Sequence, residues 1–247
     1  MALPDLSGRV AVITGASRGL GAGLAETFRA HGMRLALTAR GRPVLADDPG
    51  VFAASFDVAD EAAMQRFARD VEERFGRVDL WVNNAGVLEP IVPVRRLRAE
   101  DLRRHLDVNL FGVLYGSRAF LPFVDRQGEG VLINVSSGAA WHGYAGWAAY
   151  CASKAGVDRL TETLQLEEAE SGLRAHAVAP GVVDTAMQEL IRSQDPSVFP
   201  EVERFKRLKE EGDFNTPSYV AESFLRIAFD PEARPAEVVV RLPKEGD

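Results

Sequence analysis

Tyr150 and Lys154 stand four residues apart in YCASK, just after GYAGWAA, a stretch rich in Gly, Ala and aromatic residues. The following residues carry helical spacing, and the pattern predicts a helix over about 148–171 with Tyr150 at its opening. Positions i and i+4 lie one above the other on a helix, so a phenol and an ammonium would share one spot. A phenol beside a cation, in a site that excludes water, gives up its proton more readily. Such a tyrosine can act as proton donor or acceptor near neutral pH. The same spacing also arises by chance on surface helices, so the rest of the chain has to supply the context.

A second chemical feature is the turn TGASRGLG (14–21), which follows the apolar run RVAVITG and opens a helical pattern. Gly15, Gly19 and Gly21, with Ser17, Arg18 and Leu20 between them, permit a tight turn that brings backbone close to a pyrophosphate at a helix N-terminus. The next run, MRLALTAR, ends in Ala39–Arg40 with no acid until Asp47. A carboxylate there would hold a ribose diol and repel a 2′-phosphate, whereas Arg18 and Arg40 offer planar forks of donors to one. The residues therefore favour NADP(H) over NAD(H).

Seven apolar runs of strand length alternate with helical patterns: 9–15, 33–40, 51–58, 78–86, 130–137, 173–181 and 236–242. The helical patterns cover 20–32, 60–76, 99–124 (with breaks at Gly112 and Pro122), 148–171, 186–211 and 219–229. This alternation predicts an α/β fold: a Rossmann-like, doubly wound parallel sheet with helices on both faces. No linker or repeat divides residues 1–247, so one domain is expected, with a substrate-covering helical insert at about 186–211. The polar turns TGASRGLG, NNAG, SSG and PGVVDT fall at the carboxyl ends of strands, where such folds bind ligands.

Bulk properties exclude other classes. The net charge of −7 argues against nucleic acid as a partner. No apolar run approaches the length of a membrane span, and the N-terminus shows no signal-peptide pattern. Cys151 is the single cysteine, which fits a reducing, cytoplasmic setting without disulfides. No residue cluster has metal-ligand spacing, and His142, the one histidine near Tyr150 in the sequence, reads as structural.

TGASRGLG, NNAG, the Asn109 of LDVNLFG, NVSSG, YCASK and PGVVDT occur here in the order found in the short-chain dehydrogenase/reductase family, which the chain resembles over almost its whole length. The resemblance implies hydride transfer between a nicotinamide and a carbonyl or alcohol carbon. It makes Tyr150 the catalytic acid and Lys154 the group that lowers its pKa and binds the nicotinamide ribose. Ser137, thirteen residues before Tyr150, is implied to orient the substrate oxygen in preference to Ser136, and Asn109 to hold a water for proton relay. Gly15, Gly19 and Gly21 match the diphosphate turn, and Asp57, with Val58 after it, matches the acid at the adenine. Asn83, Ala85 and Gly86 match the element beside the adenosine. Pro180, Gly181, Val183 and Thr185 match the loop that holds the carboxamide. One departure is the connection GRPVLADDPG, which has little room for the short helix common there in the family. The resemblance also implies a homodimer or homotetramer paired through the helices at 99–124 and 148–171.

For the substrate, the loop before Tyr150 and the insert after Thr185 supply Trp141, Tyr144, Trp147 and Met187. Aromatic and Met side chains around a small polar centre suit a flat apolar carbonyl compound. PGVVDTAMQ and the insert behind it resemble the sepiapterin reductase and benzil reductase branch, which reduces vicinal dicarbonyls. Sepiapterin reductases anchor the pterin through an acid in the last strand; here that strand reads EVVVRL, with no acid inside it, so an aromatic or aliphatic α-diketone is the expected substrate. The alternatives are an NADP-dependent alcohol dehydrogenase or ketoreductase of another metabolite, and a dinucleotide-sensing protein without turnover.

Overall fold

Apolar runs without polar alternation need cover on both faces. Seven of them form one parallel sheet in the computed structural model, which describes residues 3–247. The strands are β1 (Val10–Thr14), β2 (Arg34–Ala39), β3 (Val51–Ser55), β4 (Leu80–Asn83), β5 (Gly130–Val135), β6 (Leu173–Ala179) and β7 (Val239–Arg241). Their order is β3-β2-β1-β4-β5-β6-β7. The chain thus winds outward from β1 one way, returns to the centre and winds outward the other way. The reversal between β1 and β4 opens a crevice at their carboxyl ends.

The helices are α1 (Gly19–Ala30), α2 (Glu61–Phe75), α3 (Ala99–Leu106), α4 (Gly112–Gln127), α5 (Ala148–Glu167), α6 (Ala186–Arg192), α7 (Val202–Glu211) and α8 (Pro217–Phe229). Alternate residues of each strand feed opposite faces of the sheet. Ala11 and Ile13 of β1 pack with Leu24 and Phe28 of α1 and Phe224 and Leu225 of α8. Val10 and Val12 pack with Phe67 of α2, Phe120 of α4 and Trp81 of β4. α1 and α8 approach so closely that a Cβ on Gly23 would lie 2.3 Å from the Pro217 Cβ. α2 starts where predicted, with the Asp60 side chain accepting from the Ala63 N–H at 2.9 Å, a cap worth about 1 kcal/mol.

Two details depart from the sequence pattern. The long helix predicted over 99–124 is interrupted at Asp107–Phe111, a wider π turn centred on Asn109, and not at Gly112. Pro122 lies inside α4 without ending it, because Phe120, Phe123 and Val124 anchor the helix in the core on both sides of the missing N–H. The connection 41–50 contains turns and no helix, as its length implies. It lies against the glycine turn through the Val44 N–H, which donates to the Ala16 carbonyl at 3.0 Å.

Candidate active site

The glycine turn is built for close backbone approach. Gly15 and Gly19 have φ of 72° and 57°, a region that disfavours other residues. A Cβ on Gly21 would meet the Gly15 carbonyl oxygen at 2.3 Å, and one on Gly15 would meet the Ala85 Cα at 2.8 Å. Thr14 Oγ1 accepts from the Asn84 and Ala85 N–H groups, both at 3.0 Å, which ties the NNAG segment to the end of β1. Thr185, the N-cap of α6, closes over the turn, since a Cβ on Gly19 would touch its Cγ2 at 3.3 Å. The Pro180–Gly181 bend before it is held by Asn215, which donates to the Pro180 carbonyl at 2.8 Å, and Val183 bridges to Asn215. Ser17 and Leu20 line the turn half-buried, while Arg18 and Arg40 are exposed and make no ion pair among the described residues. Asp57 is exposed beyond the carboxyl end of β3.

Two residues predicted to contact the cofactor turn their side chains into the scaffold. The Asn83 side chain faces the helical layer, accepting from Trp81 Nε1 at 2.9 Å and donating to Asn134 Oδ1 at 2.9 Å. Strand alternation explains this, because Asn83 is the last residue of β4 and points away from the crevice. The Val58 side chain is buried against α4, where a Cβ on Gly112 would lie 2.8 Å from it.

Beyond β5 and within α5 the structure brings the proton-handling groups together. Ser136 turns inward and donates to Asp158 Oδ1, leaving Ser137 as the hydroxyl beside Tyr150. Tyr150 lies in the first turn of α5, 8% exposed, and Lys154 follows on the same face with its Nζ 5.7 Å from the phenol ring centroid. Lys154 Nζ donates to the Val135 carbonyl at 2.7 Å. Its burial lowers its pKa to about 8, against the pull of Asp158. Burial raises the pKa of the Tyr150 phenol above its ordinary value, and the Ser137 hydroxyl opposes this.

Asn109 is fully buried, and its amide is engaged by protein. Oδ1 accepts from the Val87 N–H, and Nδ2 donates to the Val87 carbonyl, both at 2.8 Å. The side chain therefore shapes the π turn and the segment after Gly86. His105 and Ser153 complete this network and Asp158 holds Ser136, and the sequence reading did not single out these three. The detectable signals were the i, i+4 spacings of His105 with Asn109 and of Lys154 with Asp158.

The apolar wall comes from the insert. Phe199 stacks on Trp147 at 4.6 Å, Phe205 lies 5.7 Å from the same ring, and Trp147 meets Tyr150 edge-on at 5.7 Å. Trp147 is 4% exposed, so it is a packing residue joining α5 to the insert and not the open substrate contact expected of it. Tyr144 and Met187 are half-buried at the rim of this cluster. Trp141 is exposed, with the Arg241 guanidinium 6.0 Å from its ring centroid. Among the described residues no group of His, Cys, Asp and Glu could hold a metal, and no helix is long and apolar enough to cross a membrane.

Comparison with known proteins agrees with this architecture. The sequence profile described as short chain dehydrogenase matches residues 9–196. A 3beta-hydroxysteroid dehydrogenase from Eggerthella lenta is 36% identical over 92% of this chain and 88% of its own length. A benzil reductase ((S)-benzoin forming) from Bacillus subtilis is 33% identical over 87% of this chain and 91% of its own. The crystal structure of levodione reductase superposes with a TM-score of 0.85 at 27% identity, covering 96% of each chain. The fold, the glycine turn and the Ser137–Tyr150–Lys154 cluster thus occur together in a chain that belongs to the short-chain dehydrogenase family of nicotinamide-dependent oxidoreductases acting on hydroxyl and carbonyl groups.

Proposed function

We propose that the protein is an NADPH-dependent carbonyl reductase whose preferred substrates are aromatic or aliphatic α-diketones. The observation that carries this reading is a buried Tyr150 placed between Ser137 and an apolar aromatic wall. The glycine turn would hold the diphosphate, and Arg18 and Arg40, unpaired among the described residues, would hold the 2′-phosphate. Lys154 would hold the nicotinamide ribose. When bound, the dihydronicotinamide supplies the hydride that reaches the carbonyl carbon. Tyr150 gives its phenolic proton to the carbonyl oxygen, so ketone plus hydride plus proton becomes alcohol. The Ser137 hydroxyl donates a hydrogen bond to the same oxygen and stabilises its developing charge. A phenol kept protonated at neutral pH suits this direction. The resemblance to benzil reductases over most of both chains supports a diketone, and Arg241 at the end of β7, where a pterin-anchoring acid would stand, argues against a pterin.

A second reading, oxidation of a ring alcohol or reduction of the corresponding ketone on a larger substrate such as a steroid, is favoured by the 36% identity to the Eggerthella lenta enzyme. Both are tested by following NADPH consumption with benzil, 1-phenyl-1,2-propanedione, sepiapterin and a 3-oxosteroid, each repeated with NADH. Fast turnover of a diketone with NADPH supports the first reading. Turnover of the steroid alone replaces it with the second, and equal rates with NADH overturn the cofactor assignment. We also propose pairing of two copies through α4 and α5, supported by the exposed Phe111 and Leu166. The reading places the enzyme in the cytoplasm.

A further inference from the structure

One buried titratable group has no part in the chemistry above. His105, on α3, is 1% exposed and lies behind Tyr150, its ring edge-on to the phenol ring with centroids 6.2 Å apart. Its Nδ1 is 2.7 Å from the Glu89 carbonyl oxygen, and its Nε2 is 2.9 Å from Asn109 Nδ2 and 3.2 Å from Ser153 Oγ.

The partners alone assign the protons. A carbonyl oxygen only accepts, so Nδ1 carries a hydrogen. The Asn109 amide is fixed in orientation by both main-chain groups of Val87, so its second Nδ2 hydrogen lies between His105 Nε2 at 2.9 Å and Ser153 Oγ at 3.3 Å. A lone pair on Nε2 accepts the shorter of these two contacts. Ser153 spends its own hydrogen on the Tyr150 carbonyl at 2.8 Å. The neutral Nδ1–H imidazole satisfies every donor, while a second proton on Nε2 would face the Asn109 N–H at 2.9 Å. No proton passes through the ring, because Nδ1–H ends on a main-chain carbonyl.

We propose that His105 is a positioning residue: as a neutral imidazole clasped between the Glu89 carbonyl and the Asn109 amide, it holds the π turn and the segment after Gly86 against α5, and its protonation loosens that clasp and slows the enzyme. The charged and titratable groups around it bear this out. From α5 it faces Tyr150 and the Lys154 ammonium, while Glu89, Asp107, Arg103 and Arg104 are exposed. Burial pushes its pKa below the ordinary 6.5, the Glu89 carbonyl opposes this, and Lys154 lowers it further.

The kinetic part of the test rests on the reductase reading, and the spectroscopic part does not. In the full chain labelled with ¹⁵N-histidine, the His105 signal, identified by its loss in His105→Gln, is expected to report the Nδ1–H tautomer and to stay neutral below pH 6.5. An Nε2–H tautomer, or titration at or above that value, overturns the proposal. In ketone reduction with NADPH, wild-type kcat is expected to fall roughly tenfold from about pH 8 to about pH 5. His105→Gln keeps one donor and one acceptor without titrating, so it should hold kcat within about threefold at neutral pH and lose that acid limb. His105→Leu should lower kcat roughly tenfold at every pH with an unchanged NADPH Kd. An identical acid limb in His105→Gln, or wild-type turnover in His105→Leu, sinks the idea. If His105→Leu does not fold, the tautomer and His105→Gln decide. If the wild type reduces no ketone, the reductase reading fails and the tautomer alone still decides the role of His105.

Discussion

At the residue scale the chemistry depends on where Tyr150, Ser137 and Lys154 are buried. The phenol is held above its ordinary pKa by burial, and Lys154 is held down at about 8 by the same cause. A low-dielectric pocket thus disfavours both charged forms. In the reduction direction this leaves Tyr150 loaded with the proton it must give. Tyr150→Phe should lower turnover by about 10²–10⁴ while NADPH still binds, because the ring and its packing on Trp147 are kept. Stopped-flow turnover beside a fluorescence titration of NADPH checks this, and near-wild-type turnover would refute the assignment. The spacing of Tyr150 and Lys154 pointed to a site, and the family resemblance added Ser137 and the roles of all three. Asp158 and His105 were not legible, since nothing in one sequence distinguishes a buried partner from a solvated one.

At the element scale, two connections position everything else. The glycine turn lets β1 pass into α1 under the NNAG segment, and the π turn at Asp107–Phe111 lets Asn109 reach the main chain of Val87. Gly21→Ala would force a Cβ to 2.3 Å from the Gly15 carbonyl. We expect it to destabilise the chain by about 1–3 kcal/mol, an overpacking cost, and to weaken NADPH binding more than tenfold. Calorimetry and cofactor titration measure both effects, and a variant with unchanged Kd would mean that the turn does not carry the diphosphate. The elements themselves were readable from periodicity to within a few residues. The interruption at 107–111 was not readable from periodicity, because it is imposed by a bond to a segment about twenty residues away in sequence; only the family resemblance marked Asn109 as helix-breaking.

At the scale of the whole molecule, two buried histidines contribute to how stability changes in acid. His105 and His176 both have folded-state pKa values pushed below 6.5 by burial. Below 6.5 the unfolded chain therefore binds more protons than the folded one, and stability falls as pH drops through that value toward the folded-state pKa values. The melting temperature should decline from pH 7.5 to pH 5.5, and by less in a His105→Gln, His176→Gln double variant, by about the ordinary effect of two neutral buried imidazoles. A double variant with the wild-type slope would contradict this. Light scattering tests the pairing of α4 and α5, and a mass near 26.9 kDa, that of one chain, would reject it.

The sequence by itself determined the doubly wound sheet and the glycine turn, because strand and helix periods and local turn chemistry are properties of neighbouring residues, while the Ser137, Tyr150 and Lys154 set was implied by the order of family motifs. Only the tertiary structure decided which polar side chains face the crevice and which brace the scaffold. Asn83 and Ser136 sit one or two residues from the site and yet point inward, to Asn134 and Asp158. Trp147 became a core stack because the insert folded back over it with Phe199 and Phe205. The direction of the Tyr150 shift was likewise settled by burial, which no spacing along the chain expresses.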